Sequence, residues 1–391
     1  MKFEMRPLRP EDVEESIRLS EFAFQYRLSD DEREARLRDA RPEETVGCFV
    51  EGMLAAKASF LNLEVYLQGV AFAMGGVGGV ATWPEHRRGG MVAQLLRLGL
   101  AEMRQRGQAV SMLQPFSYAF YRRYGWELTH DRTMVELDVT QLPHWQADGW
   151  TLVRAADLAR LAPIYDAYAR RFDGMLNRSP TWWKSRFNRA RNPQMTVCVD
   201  PQGRDRGYLV YEVNDSVFDA IEFVYLDQGA RRALWKHIAN HDSMANTYRL
   251  IAEPGQALAL ELDNPRIKRD TAPQFMGRIV DVEAFFARYP LALGASDELW
   301  LDVRDEHAPW NSGRFRISGG AVQRLLSSSE SGDAAAQALV VCDIQTLSAM
   351  MFGYVRPNYL ARIGRLSGAD EAIAAWEQAL PQSYPLLLDA F

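Results

Sequence analysis

The stretch Val77-Gly78-Gly79-Val80-Ala81-Thr82-Trp83-Pro84-Glu85-His86-Arg87-Arg88-Gly89-Gly90-Met91-Val92-Ala93 decides how the rest of the chain is read. Small and β-branched residues up to Thr82 predict a buried strand, and Pro84 breaks it. The run from Met91, with Leu95, Leu96, Leu98 and Leu100, predicts a helix. Gly89 and Gly90 let the backbone come close to a ligand, and the first N–H groups of the helix then converge on one point, with the positive end of the helix dipole behind them. Arg87 and Arg88 add guanidinium groups suited to a pyrophosphate. An anion cradle is therefore expected at Arg87 through Ala93. Taken alone, Arg-Arg-Gly-Gly before a helix is more often only a solvated turn and an N-cap.

A chain of 391 residues exceeds what one hydrophobic core ordinarily supports, so two or three domains are expected. A formal net charge of −6 argues against a nucleic-acid partner and permits a cationic small molecule. Cys48, Cys198 and Cys342 stand far apart in apolar surroundings and read as reduced core thiols. His237 and His241 have helical spacing without a third ligand, so they read as a surface pair and no metal is expected. No apolar run approaches the roughly 20 residues that span a bilayer, and the N-terminus lacks a signal-peptide core. A cytoplasmic protein with no membrane partner is expected.

Along the chain, Lys2–Arg6 reads as a strand, Pro10-Glu11-Asp12 opens a helix, and Phe24 falls on that helix's apolar face as core or pocket wall. Glu51-Gly52 and Gln68-Gly69 predict turns in an antiparallel meander. After the Gly90 helix come a strand at Ala109–Leu113, a short helix at Ser117–Arg123 and a strand at Trp126–Val139. Pro143–Gly149 reads as a linker. A second cycle of similar order begins at Trp150, with a helix expected over Ala156–Arg170. Its cradle position holds only Asp227-Gln228-Gly229-Ala230-Arg231-Arg232, and the acid there disfavours a pyrophosphate. A third α+β unit starts at Phe275, with Ser327–Gly332 as a polar loop and an apolar tail, Leu386-Leu387-Leu388-Asp389-Ala390-Phe391.

The turn Arg87-x-x-Gly90 after a strand, followed by Tyr121-x-x-Tyr124-Gly125-Trp126, resembles the GCN5-related N-acetyltransferase (GNAT) family; Val92 departs from that pattern, which has Gly or Ala there. The two tandem units, together with Arg278–Val282, the turn Pro309-Trp310-Asn311 and the tail, resemble the Eis family. That resemblance implies an α+β, mixed α/β chain: a GNAT domain over 1–142, a degenerate GNAT-like domain over 143–274 and a sterol-carrier-protein-like domain over 275–391.

The resemblance further implies acetyl-CoA as co-substrate and a small-molecule primary amine, aminoglycosides being the family's known class, with assembly as a hexamer. It places cofactor contacts at Val80, Ala81 and Thr82, at Arg87, Arg88, Gly89, Gly90, Met91, Val92 and Ala93, and at Phe116 and Ser117. Phe24 lines the amine pocket by the same likeness, although Tyr26 stands where an acid occurs in the family. Tyr121 would be the general acid, because a phenol with a pKa of ~10 stays protonated at neutral pH; Tyr124 competes for the role. The base would be the terminal carboxylate of Phe391, on a tail too apolar to be solvated. Acetylation of protein lysines and non-enzymatic lipid carriage by the third unit are the alternatives.

Overall fold

The computed structural model describes residues 2–155, 157–187, 190, 192–325 and 338–391, so the loop expected at Ser327–Gly332 lies outside the described residues. The first unit runs β1 (Glu4–Pro7), α1 (Val13–Phe24), α2 (Asp30–Arg38), β2 (Thr45–Val50), β3 (Met53–Leu67), β4 (Val70–Thr82), α3 (Met91–Gln105), β5 (Val110–Leu113), α4 (Tyr118–Arg122) and β6 (Glu127–Asp138). Both meander turns are two-residue hairpin loops in which each residue takes positive φ: Glu51 and Gly52 at 51° and 83°, Gln68 and Gly69 at 50° and 74°.

The second unit comprises β7 (Thr151–Arg154), α5 (Ala162–Ala169), α6 (Pro180–Ser185), β8 (Gln194–Val199), β9 (Asp205–Asn214), β10 (Val217–Tyr225), α7 (Gln228–Ala239), β11 (Thr247–Ile251) and β12 (Lys268–Ile279). The helix expected from Ala156 thus begins later, at Ala162, behind a single turn at Leu158–Arg160 capped by Asp157. The third unit has α8 (Val282–Phe286), β13 (Glu298–Arg304), β14 (Gly313–Ser318), β15 (Ala321–Leu325), β16 (Leu339–Asp343), α9 (Ile344–Met351), α10 (Pro357–Arg362) and α11 (Asp370–Ala379). Its sheet has the order β15-β14-β13-β16.

Strands β1 to β12 form one sheet in the order β1-β2-β3-β4-β5-β12-β6-β11-β10-β9-β8-β7. Two strands therefore sit away from their sequence neighbours. β12 lies between β5 and β6, antiparallel to both, and β6 pairs on its other side with β11. β12 runs across positions 274 and 275, where the sequence reading put the join between the second and third units.

Three motifs singled out in the sequence meet where β12 leaves the sheet. Arg278 is fully buried; it donates to the Tyr124 carbonyl, and its Nη2 reaches both Asp305 oxygens at 2.7 and 2.9 Å. A Cβ on Gly125 would fall on that guanidinium, which accounts for glycine there. Trp310 Nε1 and Asn311 Nδ2 donate to the Val280 carbonyl at 2.8 and 3.0 Å, and the Asn311 carbonyl oxygen accepts from Val282 N–H. Packing reinforces the clasp: Val65, Phe72 and Met74 of β3 and β4 share one apolar cluster with Phe285, Phe286, Leu301 and Trp376 of the third unit.

Cys48, Cys198 and Cys342 are buried free thiols. His237 and His241 correct the expectation of a surface pair. Both are half-buried, with rings 5.8 and 5.1 Å from Tyr211, and His241 lies past the end of α7.

Candidate active site

Strands β4 and β5 pair in parallel from Met74–Val110 to Val77–Leu113, and there the pairing stops. Pro115 cannot donate to a ladder, so β5 does not continue, while β4 runs on through Gly78–Thr82. The β5-side backbone edge of β4 is thereby left facing an open seam. β4 also carries a bulge: Lys57 pairs with Ala81 and Ser59 with Gly78, one extra residue on β4, with Gly79 at φ 57°. A bulge re-aims the strand. Val80, Ala81 and Thr82 lie along the seam.

Beyond the seam the chain folds through Pro84–His86 and enters α3 with Gly90 at its N-cap, φ 78°, and no side-chain cap. The leading N–H groups of α3 are consequently not taken by a capping side chain, and nothing lies within 4 Å of a Cβ placed on Gly90. Arg87 and Arg88 are exposed beside it, Arg88 at φ 64°. These features fit a pyrophosphate. The matching turn of the second unit is filled by its own side chains: Asp227 caps α7 by accepting from Ala230 N–H and binds Arg206, and Trp150 covers Gly229.

Tyr121 sits on α4 just past the end of β5 and is 2% exposed. Its ring meets Phe116 and Phe120 edge-on at 5.2 Å each, in a cluster that includes Val77, Leu113 and Trp126. Burial raises its phenol well above the ordinary tyrosine value. Tyr124, the competitor, turns toward the third unit, its ring 4.9 Å from that of His307. Ser117 caps α4, its hydroxyl accepting from Phe120 N–H at 3.4 Å, and Phe116 is 67% exposed.

Phe391 lies on the other face of β4. Side chains alternate along a strand, so Gly76 and Gly78 open on the face opposite Val77. A Cβ on Gly76 would stand 3.1 Å from the Phe391 ring, and one on Gly78 would stand 3.7 Å from the Phe391 carboxyl carbon. The ring also meets Phe275 at 5.1 Å and Trp182 at 6.3 Å. The glycines therefore form the seat of the last residue, and Tyr121 and Phe391 flank β4 from opposite faces.

The path of the tail is held at intervals. Leu386 N–H donates to the Asp173 carbonyl at 2.9 Å, Asp173 N–H donates to the Tyr384 carbonyl at 3.2 Å, and Ser383 Oγ donates to the Asp173 carboxylate. His130, fully buried, contacts the same Asp173 carbonyl through Nε2 at 2.9 Å; burial lowers it to about 4. Asp389 is 1% exposed and takes Arg178 Nε on both oxygens at 3.1 Å, Trp182 Nε1 at 2.8 Å and the Tyr165 hydroxyl at 3.2 Å. The sequence reading passed over Asp389 and its partners, although a lone acid among apolar tail residues was visible.

Of the two expectations for Phe24, a place in the core is excluded: at the end of α1 it is 51% exposed and belongs to none of the apolar clusters among the described residues. The inner face of α1 is held by Lys57 of β3, whose ammonium donates to Ser16 O, Ser16 Oγ and Ser20 Oγ at 2.6 to 2.7 Å; burial lowers it to about 7. A groove of about 870 Å³ lies along α1 and is lined by Glu14, Glu21, Phe22, Tyr26 and Arg33 among others. Arg33 already bridges Glu14 and Glu21 there, and none of Phe24, Tyr121 and Phe391 lines it. Tyr121 and Phe391 instead lie against β4, the strand that borders the seam.

The open seam and the uncapped helix fit an acetyltransferase (GNAT) domain. Residues 4–129 and 174–279 each match an acetyltransferase (GNAT) domain, and residues 282–388 match a sterol carrier protein domain. The chain is thus an acyltransferase of Eis-like organisation, with two GNAT domains followed by the sterol-carrier module. It is 27% identical to an uncharacterized N-acetyltransferase of Streptomyces griseus over 93% of both chains, and 26% identical to one of Streptomyces avermitilis over 96% of this chain and 95% of the relative. A probable N-acyltransferase from Enterococcus faecalis V583 superposes with a TM-score of 0.90 at 26% identity, all of both chains covered. Eis1 from Mycobacterium abscessus shares the fold at a TM-score of 0.83 and 22% identity, again over all of both chains. No helix among the described residues is long and apolar enough to cross a membrane.

Proposed function

We propose that this enzyme transfers acetyl from acetyl-CoA to primary amines of a polyamine-like small molecule, the class to which aminoglycosides belong, with Tyr121 as acid and the Phe391 carboxyl group as base. The observation that carries the reading is the seat of Phe391 on Gly76 and Gly78, beside the strand whose seam the cradle serves. When bound, acetyl-CoA supplies an acetyl group on a thioester, with its pyrophosphate at Arg87 to Ala93, backbone contacts at Val80, Ala81 and Thr82, and flanking contacts at Phe116 and Ser117. The net charge of −6 favours a cationic acceptor. Phe24, exposed on α1, remains in this reading as a contact for the bulk of the amine. A cytoplasmic homo-hexamer belongs to the same proposal, and light scattering on the purified protein checks the assembly.

The two groups divide the proton traffic. An α-carboxylate with an intrinsic pKa of about 3.5 is ionised at neutral pH and takes the proton of the attacking nitrogen, directly or through water. The nitrogen bonds to the acetyl carbon, the carbon–sulfur bond breaks, and the Tyr121 hydroxyl gives its proton to the departing sulfur. Burial keeps that hydroxyl protonated, as a donor must be. Tyr121→Phe and the addition of one glycine after Phe391 are expected to lower kcat ~100-fold or more. Acetyl-CoA affinity by calorimetry should be unchanged in both. Retention of full turnover on an amine panel by either variant would remove that residue from the mechanism.

A further inference from the structure

The second GNAT domain has its own cradle position closed by Asp227 and Trp150. It nevertheless contributes an ion cluster inside the molecule. Arg178 and Glu222 have side chains with no solvent exposure, as has Asp389, and Arg186 is 16% exposed. Arg178 bridges Glu222 and Asp389, and Arg186 approaches the same two acids at 2.8 and 3.1 Å. Two cations and two carboxylates balance, which makes such a set tolerable away from water. Tyr208 donates to Glu222 at 2.7 Å, and the Arg178 guanidinium lies 3.8 Å over the Tyr165 ring. Every member except Asp389 comes from residues 165–222.

Asp389 stands two residues before the Phe391 carboxyl group. A chain spans at most about 3.4 Å per residue, so anchoring Asp389 confines that group to a radius of ~7 Å. Were Leu386, held by Asp173, the last fixed point, five residues would sweep ~17 Å, a volume ~14 times larger. Holding a reacting group in place is worth rate in proportion to the conformations it excludes.

We infer that Asp389 is a positioning residue for acetyl transfer, and that the buried Arg178–Arg186–Glu222 cluster, built by the second GNAT domain, exists to aim the terminal carboxylate at the active site of the first. This inference rests on the reading of Phe391 given above. Asp389 touches no substrate in this scheme and acts through Phe391.

The test is a double-mutant cycle. Asp389→Asn and Trp182→Phe, the latter removing one donor to Asp389 while sparing the ions, are each placed in the full chain and in a chain lacking Phe391. In the full chain Asp389→Asn should lower kcat about tenfold and Trp182→Phe about threefold, with acetyl-CoA affinity unchanged. In the shortened chain, whose carboxylate is already displaced, neither should lower the residual kcat further. If Asp389→Asn does not fold, Trp182→Phe decides alone by the same criterion. An equal fractional loss in both backgrounds would show a role in the fold only and overturn the inference. A costly deletion of Phe391 combined with harmless Asp389 and Trp182 variants would overturn it while sparing the terminal base. A deletion without effect on kcat would remove the terminal base and this inference together.

Discussion

Gly125 shows how little room the junction of the three units allows. Its φ of 93° is open to glycine and strained for other residues, and a methyl group there would meet the Arg278 guanidinium. Arg278 has no other place to go, since its charge is balanced inside the protein by Asp305 alone among the described carboxylates. Gly125→Ala should therefore cost ~3–5 kcal/mol, the magnitude of separating a buried pair. Denaturant unfolding measures it, and a loss below ~1 kcal/mol would mean that the guanidinium can move aside.

At the scale of elements, α3 is defined by what precedes it. Gly90 leaves the helix without a side-chain cap, and its own Cβ position faces open space. Gly90→Glu should therefore place a carboxylate where the pyrophosphate is expected and lower acetyl-CoA affinity at least tenfold, while the fold survives. Gly90→Ala carries the same backbone strain without the charge and should cost far less; calorimetry on the pair separates the two effects. The glycine turn that opens α3 was legible in the sequence because proline, two glycines and a leucine-rich helix are local signals. So were the meander turns, each a two-residue loop ending in glycine. The placement of β12 was not. Strand partners are chosen by contacts more than a hundred residues apart, and nothing in Lys268–Ile279 names β5 and β6 as its neighbours. Likewise the expected burial of the tail holds at Leu386, Leu387 and Asp389, whereas Phe391 is half-buried and Ala390 exposed, and the acid is explained by Arg178, Arg186, Trp182 and Tyr165, which become its partners through folding alone.

For the whole molecule, acid is expected to loosen the seam that carries the tail. His130 titrates at about 4 in the folded chain against about 6.5 when unfolded. Between those values the unfolded state binds more protons, so stability falls as pH drops from 6.5 to 4, by about 3 kcal/mol in total. Asp173, whose carboxyl is raised by burial, acts in the opposite sense, so the measurement is a comparison of wild type with His130→Gln. The variant should show a shallower loss of stability across that window, and an identical slope would refute the assignment. A fragment ending at residue 142 lacks both β11 and β12, leaving one side of β5 and both sides of β6 without their partners. It should fail to give a soluble monomer with cooperative unfolding.

The interposed position of β12 also sets a schedule for biosynthesis. When the first 142 residues have left the ribosome, the nascent sheet still has a gap that residues 268–279 must fill. The gap closes only after roughly twice that length has been translated, and the seat on Gly76 and Gly78 is taken only when residue 391 is added. With Phe391 as the proposed base, copies released early by a premature stop, or clipped at the tail by a protease, would lose most of their turnover. The cell would be spared half-made enzyme consuming acetyl-CoA.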